Sequence, residues 1–255
     1  MKKLLLILLC LPMIGFGQIT MIPDANFEQA LINSGYDTVL DGQILTSNIN
    51  TISTLYCSDK GIYSLEGIED FLALNRLYCS YNNLTSLDLS NNTALEILHC
   101  KNNNLTSLNL SNNTALNTLK CNDNNLTSLN LSNNPSLMFL YTHNNNLISL
   151  NIKNGNNEIL WIECFDPDAY YDGIKTIGNP SLGCIEVDDS LYSVINWDLS
   201  NGCRDSSHYF SENCVTTFMQ DFTTNKELIK VTDLLGRESK QTNQPLLYLY
   251  NDGTV

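Results

Sequence analysis

Between Leu74 and Asn157 the same stretch of about one coil is written four times: LNRLYCSYNNLTSLDLSNNTA, LEILHCKNNNLTSLNLSNNTA, LNTLKCNDNNLTSLNLSNNPS and LMFLYTHNNNLISLNIKNGNN. Leu74, Leu95, Leu116 and Leu137 open the copies, so the period is 21 residues without slippage. A unit this short cannot bury its own apolar face. It buries that face against the next copy, so a fixed period in this range predicts a stack of coils, a solenoid, rather than a globular core.

Within each copy the pattern is L-x-x-L-x-C-x-x-N-x-L, as at Leu74, Leu77, Cys79, Asn82 and Leu84. Leu77 and Cys79 lie two apart, the period of a short strand with one buried face. Asn82, Asn103, Asn124 and Asn145 fall where the chain leaves that strand, and an amide there can bond backbone groups that a tight bend leaves unpaired. Stacking turns these asparagines into a ladder, and it does the same for Cys57, Cys79, Cys100 and Cys121. The pattern is also nested. Leu84-Leu87-Leu89-Asn92 repeats the first half's grammar, as do Leu105-Leu108-Leu110-Asn113 and Leu126-Leu129-Leu131-Asn134. Each coil therefore has two short extended segments joined by Asn-rich turns, and no run has helical periodicity.

These motifs resemble the leucine-rich-repeat family in its nested, IRREKO-type form, over residues 52–164. The resemblance implies a β-rich solenoid: a right-handed coil of short parallel strands, closed by a small helical amino-terminal cap and an irregular carboxy-terminal cap.

Copies within one chain can be compared with each other. The second half hardly varies: Ser86, Ser107, Ser128 and Ser149, then Asp88, Asn109, Asn130 and Asn151, face outward. The first half varies at its two outward positions, which read Thr54/Tyr56, Arg76/Tyr78, Ile97/His99, Thr118/Lys120, Phe139/Tyr141 and Trp161/Glu163. With neighbouring strands about 4.8 Å apart these side chains form one strip. Aromatics and Arg are enriched at recognition surfaces, which makes Tyr56, Arg76, Tyr78, His99, Lys120, Phe139, Tyr141, Trp161 and Glu163 the candidate ligand-binding residues. The alternative is solvated sheet, since cross-strand aromatic pairs stabilise a sheet whatever they bind.

The flanks read differently. Met1 to Gly17 has the form of a secretory signal: Lys2 and Lys3, the apolar run Leu4–Leu9, and a small-x-small site at Gly15-Phe16-Gly17. The run is too short to span a membrane. Residues 18–51 form the amino-terminal cap, with Asp24 capping a short helix that carries Phe27, Ala30 and Leu31 on one face and ends at Gly35. Residues 52–73 are a first, irregular coil in which Lys60 stands at the turn-Asn position. Ile159, Ile162 and Cys164 restart the repeat pattern. Residues 165–214 form the carboxy-terminal cap, where Asp166, Asp168 and Asp172 miss the spacing of a calcium loop because Tyr170 occupies the fifth position. The segments TMIPDANFEQALINSGYD and IEVDDSLYSVINWDLSNGC resemble the opening and closing of exported leucine-rich-repeat proteins of Bacteroidetes bacteria. Residues 215–255, with Val231 to Glu238 as a DxxGR signature, resemble the C-terminal sorting domain of the type IX secretion system. The usual Pro-Asn-Pro opening is missing, and Val255 stands where a basic final strand is expected, so the tail is a partial one. These resemblances imply a protein secreted from, or displayed on the outer surface of, a Gram-negative bacterium after cleavage near Gly17, with the type IX machinery as a partner.

The formal net charge of −14 repels phosphate backbones, and no basic stripe offsets it, which argues against nucleic acid. Of nine cysteines, the four in the coils come one per turn with parallel side chains, which suits buried thiols better than disulfides or zinc; Thr142 replaces one of them. In an exported cap a disulfide among Cys184, Cys203 and Cys214 is plausible. Connectivity cannot be deduced from spacing; the expected pair is Cys184–Cys214, with Cys203 free or joined to Cys164. His99, His143 and His208 lie near no nucleophile, and there is no phosphate loop, carboxylate cleft or metal motif, so neither catalysis nor a cofactor is expected. Two readings remain. One is an exported recognition module for a protein or glycan, with internalins as the nearest functional analogy. The other is a structural or self-associating surface spacer without a specific ligand.

Overall fold

The computed structural model describes residues 17–156, 158, 174–197 and 205–214, together with two strands of the carboxy-terminal tail. The chain divides into two compact units, Met1–Cys214 and Val215–Val255.

The first unit opens with β1 (Ile19–Met21), helix α1 (Ala25–Asn33), β2 (Gln43–Leu45), antiparallel to β1, and a single turn α2 (Thr46–Ile49). Asp24 caps α1: its Oδ1 accepts the amides of Asn26 and Phe27 at 2.9 and 3.0 Å. Its Oδ2 accepts the amides of Tyr63 and Ser64 in the first coil, so one carboxylate ties the cap to the stack. Phe27, Ala30 and Leu31 are buried. Glu28 is buried too, and its Oε1 takes the amides of Asp41, Gly42 and Gln43, which meets the condition for burying a charge.

The coils follow. The first-half segments are β3 (Thr54–Tyr56), β4 (Arg76–Tyr78), β5 (Ile97–His99), β6 (Thr118–Lys120) and β8 (Phe139–Tyr141); the second-half segments become β7 (Ser128–Asn130) and β9 (Ser149–Asn151). Every pairing among them is parallel and in register with the repeat: Leu55, Leu77, Leu98, Leu119 and Leu140 face one another along the stack. The solenoid is thus a parallel-strand β coil of the leucine-rich-repeat type. Its interior is the repeat's own apolar set. In one copy Leu95, Leu98, Cys100, Leu105 and Leu110 are all fully buried, and each leucine contributes about 1.5–3 kcal/mol.

Two amide ladders close the turns, and they differ. In the first, Asn103 Nδ2 donates to the carbonyls of Cys79 and Cys100, both at 3.0 Å, while its Oδ1 accepts the Leu84 amide at 3.0 Å. Asn82, Asn124 and Asn145 repeat this one coil away, so each intervening Cys carbonyl receives two amides. In the second ladder, Asn92, Asn113 and Asn134 donate through Nδ2 only; their buried Oδ1 atoms have no partner among the described residues. The turn after each first-half strand passes through the left-handed region at Asp59, Tyr81, Asn102, Asp123 and Asn144, with φ between 54° and 57°. Asn and Asp tolerate that region; a tyrosine there is uncommon.

The stack extends past residue 164. The strand beside β8 is β10 (Ile174–Lys175), pairing Ile174 with Leu140 and Lys175 with Tyr141. Thr176 then continues the Cys column, Gly178 (φ 74°) the left-handed column, and Asn179 the amide ladder through Leu147 N and the carbonyls of Thr142 and Thr176. β11 (Cys184–Glu186) extends β9, and β12 (Tyr209–Ser211) extends β11, all parallel. Part of the carboxy-terminal region is therefore built on the repeat's grammar. Around it lie α3 (Ser190–Asn196), capped by Asp189, and Trp197, packed edge-on to Phe210. Buried His208 bonds Thr176 Oγ1 and the Asn179 carbonyl, and Asp205 takes the amides of Gly178 and Asn179, so these two close the ladder's end. Cys184 and Cys214 form a disulfide, with Cα atoms 5.8 Å apart.

In the second unit β13 (Leu228–Asp233) and β14 (Leu246–Tyr250) pair antiparallel, with an irregularity between Leu228 and Lys230.

Candidate interaction surface

Because β3, β4, β5, β6 and β8 are three residues long and in register, each presents two outward side chains in fixed columns, and the two-residue β10 adds one. One column reads Thr54, Arg76, Ile97, Thr118, Phe139. The other reads Tyr56, Tyr78, His99, Lys120, Tyr141, Lys175. Seven of the candidate residues share this face: Tyr56, Arg76, Tyr78, His99, Lys120, Phe139 and Tyr141. Trp161 and Glu163 lie outside the described residues, and the place beside β8 belongs to Ile174 and Lys175.

The side chains are not equivalent. Tyr56 is 67% exposed and Arg76 is exposed, whereas Tyr141, expected to point freely outward, is only 7% exposed. The Tyr56 and Tyr78 rings stack in parallel, 4.9 Å apart at 7°, about the spacing of the strands that carry them. His99 meets Tyr78 edge-to-face at 4.8 Å. Lys120 Nζ stands 4.7 Å from the Tyr141 ring centre, and Lys101, on the turn after β5, stands 5.0 Å from that of Tyr81. Between Tyr56/Tyr78 at one end and Phe139/Tyr141 at the other runs a groove of about 500 Å³, with Ile97, His99, Thr118 and Lys120 along it.

Lysines beside this groove act on the histidines of the same side. Burial, reinforced by Lys120 and Lys101, lowers the His99 pKa to about 4. His143 is lowered as well, by burial first and then Lys175, against the opposing pull of Asp123. Lys175 and Lys101 escaped the sequence reading of the strip. Lys101 sits on a turn, outside the strand pattern, but the motif Thr176-x-x-Asn179 with Gly178 before the Asn was a usable signal for the coil that carries Lys175.

The opposite sheet is monotonous partly for a local reason. Asp88, Asn109, Asn130 and Asn151 each accept the amide two residues on, closing an Asx turn. Shallow polar grooves of about 410 and 320 Å³ lie along this side beside Ser86, Asp88 and Ser90.

Cys57, Cys79, Cys100 and Cys121 are buried free thiols. Burial pushes Cys57 and Cys100 up to about 12 and holds Cys79 and Cys121 well above the ordinary value, which suppresses the reactive thiolate. Among the described residues no cluster of His, Cys, Asp or Glu could hold a metal, and no helix is long and apolar enough to cross a membrane. Asp166, Asp168, Asp172, Cys164 and Cys203 lie outside the described residues, as do residues 1–16 of the signal segment and Leu234–Glu238 of the tail signature.

No protein-family model matches the chain. Over 71 residues, 28% of its length, it is 35% identical to internalin J of Listeria monocytogenes serotype 4b (strain F2365), a stretch amounting to 8% of that protein. The solved functional domain of InlJ from Listeria monocytogenes, which includes a cysteine ladder, is 29% identical with a TM-score of 0.53, covering 67% of this chain and 38% of that one. An internalin C2 structure from Listeria monocytogenes strain 4b F2365 superposes with a TM-score of 0.50 at 17% identity, covering 75% of this chain and 87% of that one; that likeness is one of fold. The chain thus spans well under half of the internalin J sequences it matches. Its stacked coils and one-per-coil thiols nevertheless make the repeat region an internalin-like leucine-rich-repeat solenoid, a scaffold of the protein-interaction kind.

Proposed function

We propose that the protein is an exported or surface-displayed recognition module that binds a protein through the face of β3, β4, β5, β6, β8 and β10. One observation carries this reading. The two outward columns of this sheet vary from coil to coil and line an aromatic and cationic groove, while the same coils repeat one polar face on the other side. Aromatic and Arg side chains of this kind supply most of the energy at protein interfaces. A polypeptide fits the groove better than a glycan does. Sugar stacking needs open ring faces, but Tyr78 lies between Tyr56 and His99, and Lys120 lies over the ring of the buried Tyr141. The amino-terminal signal pattern and the type IX-like tail support export, with the secretion machinery as a second, transient partner.

The test is capture of labelled surface and extracellular proteins on the immobilised full chain, beside the triple variant Tyr56→Ala/Arg76→Ala/Tyr78→Ala. These three side chains are exposed or half-exposed, so the fold should survive, as circular dichroism can verify. Partners held by the wild type and lost by the variant support the reading. Identical capture by both moves the contact off this face.

A further inference from the structure

The turn that leaves each strand of the varied sheet passes through the left-handed region, and in four coils it does so on a side chain that tolerates the conformation: Asp59, Asn102, Asp123 and Asn144. The exception is Tyr81, at φ 57°. There its Cβ crowds the following carbonyl, and a ring offers none of the local hydrogen bonding that lets Asn or Asp occupy the position. The backbone does not ask for tyrosine. Its amide bonds the Lys101 carbonyl just as the Asn102 amide bonds that of Asn122, so either residue makes the same turn.

The fold recovers little from the ring. Tyr81 is 51% exposed, and its hydroxyl has no partner among the described residues. Lys101 Nζ stands 5.0 Å from the ring centre, but a cation–π contact between side chains that both reach solvent is weak. A strained residue that the surroundings do not require is a pointer to function. The position supplies one. Tyr81 stands on the turn leaving β4, the strand that carries exposed Arg76 and half-exposed Tyr78, and Tyr78 stacks on Tyr56. A single coil thus presents two tyrosines and an arginine, the residue types that dominate contact energies.

We infer that Tyr81 is a specificity-determining contact of the varied sheet, an aromatic side chain kept in a strained turn because the partner protein reads it. This rests on the varied sheet being the contact surface. It carries that surface past the strands onto the turn beside β4 and centres it on the second coil. With Lys101 over the ring and the hydroxyl unpaired, Tyr81 offers an apolar edge and a hydrogen-bond donor, which suit an apolar side chain of the partner beside a backbone carbonyl.

The experiment uses the full chain and two single variants. Tyr81→Asn installs the residue of the next coil's turn, relieving the strain and removing the ring. Tyr81→Phe keeps both and removes only the hydroxyl. Each is melted, and each is immobilised against the labelled surface and extracellular proteins of the preceding test, with every captured band quantified over a dilution series. Tyr81→Asn should melt about 2–4 °C above the wild type and should hold the bands that depend on Tyr56, Arg76 and Tyr78 about tenfold or more weakly. Tyr81→Phe should melt with the wild type and lose severalfold at most. An unchanged or lower melting point for Tyr81→Asn overturns the inference, because the ring then serves the fold. A higher melting point with undiminished capture overturns it as well; if the triple variant still loses those bands, the contact surface stands without Tyr81. Equal capture by the wild type and the triple variant, or no capture by either, removes the contact surface and this inference together.

Discussion

Replacing one rung of each amide ladder separates what a buried asparagine contributes through its oxygen from what it contributes through its nitrogen. Asn103→Ala removes the one partner the Leu84 amide has among the described residues, accepted at 3.0 Å, and leaves that buried N–H orphaned. It also removes three donations, but the Cys79 carbonyl keeps Asn82, the Cys100 carbonyl keeps Asn124 and the Lys101 carbonyl keeps the Tyr81 amide. An orphaned buried donor costs about 1–3 kcal/mol and each partly compensated bond a fraction more, for a total of about 2–3 kcal/mol. Asn113→Ala orphans nothing. The Leu89 and Asn92 carbonyls it serves also accept the amides of Asn92 and Leu95, and its own Oδ1 is already unpaired. Its loss should cost about 1 kcal/mol. The two sites share burial, side-chain size and coil type, so the difference of about 1–2 kcal/mol isolates the orphaned amide. For a unit of this size that is about 2–8 °C in Tm. Urea unfolding followed by circular dichroism measures both, with an unchanged slope needed to show that the stack still unfolds as one piece. Asn103→Asp sharpens the test, since it keeps the acceptor but turns a carboxylate toward two carbonyls, and should destabilise more than alanine. If Asn113→Ala costs as much as Asn103→Ala, the ladder does not work through the amides it is seen to bond, and the reasoning fails.

Further outcomes follow from the same structure. Cys57 and Cys100 hold their protons up to about pH 12 and Cys79 and Cys121 are raised well above the ordinary value, whereas unfolded thiols lose theirs near 9.0. The unfolded state therefore binds fewer protons in that window, and stability should fall with rising pH, by about 1.4 kcal/mol per unit for each thiol once the unfolded thiols ionise. Cys100→Ala should remove about a quarter of that slope, and a profile flat above about pH 9 would contradict it. Cys100→Ser places a hydroxyl in the same dry column and should destabilise by about 1–3 kcal/mol, read by thermal melts; a neutral result would mean the column is not dry. Reducing the Cys184–Cys214 bridge, which spans 30 residues, should cost about 3–4 kcal/mol, seen as a lower denaturation midpoint in reductant. Gly178→Ala should destabilise by about 1–3 kcal/mol, because φ is positive there and a Cβ would collide with Asn144; an unchanged Tm would show that the neighbouring turn yields easily.

The coil was legible because the period is strict. Once Leu77, Leu98, Leu119 and Leu140 are known to recur every 21 residues, parallel pairing in register is the arrangement that keeps them all inside. What failed to show was where the stack resumes after Asn157. Ile159, Ile162 and Cys164 imitate the grammar at nearly the right distance, yet the strand beside β8 begins at Ile174. The pattern specifies which side chains stack and is silent on connector length, and closing a longer connector costs little more than closing a shorter one. Thr176 in a Cys position, with Gly178 and Asn179 behind it, carries the same turn chemistry in different letters. The surface divides along the same line. Columns can be listed from the period alone, but Tyr141 at 7% exposure and the mutual cover of Tyr56 and Tyr78 depend on rotamers that no spacing encodes.

The contrast between the two sheets has a backbone cause on one side only. Asn109 and its equivalents cannot be exchanged for an aromatic or a lysine without losing the Asx bond that turns the chain, as between Asn109 Oδ1 and the Ser111 amide at 3.1 Å. Tyr78, Ile97, His99 and Thr118 carry no such backbone bond, so their variety is permitted rather than forced.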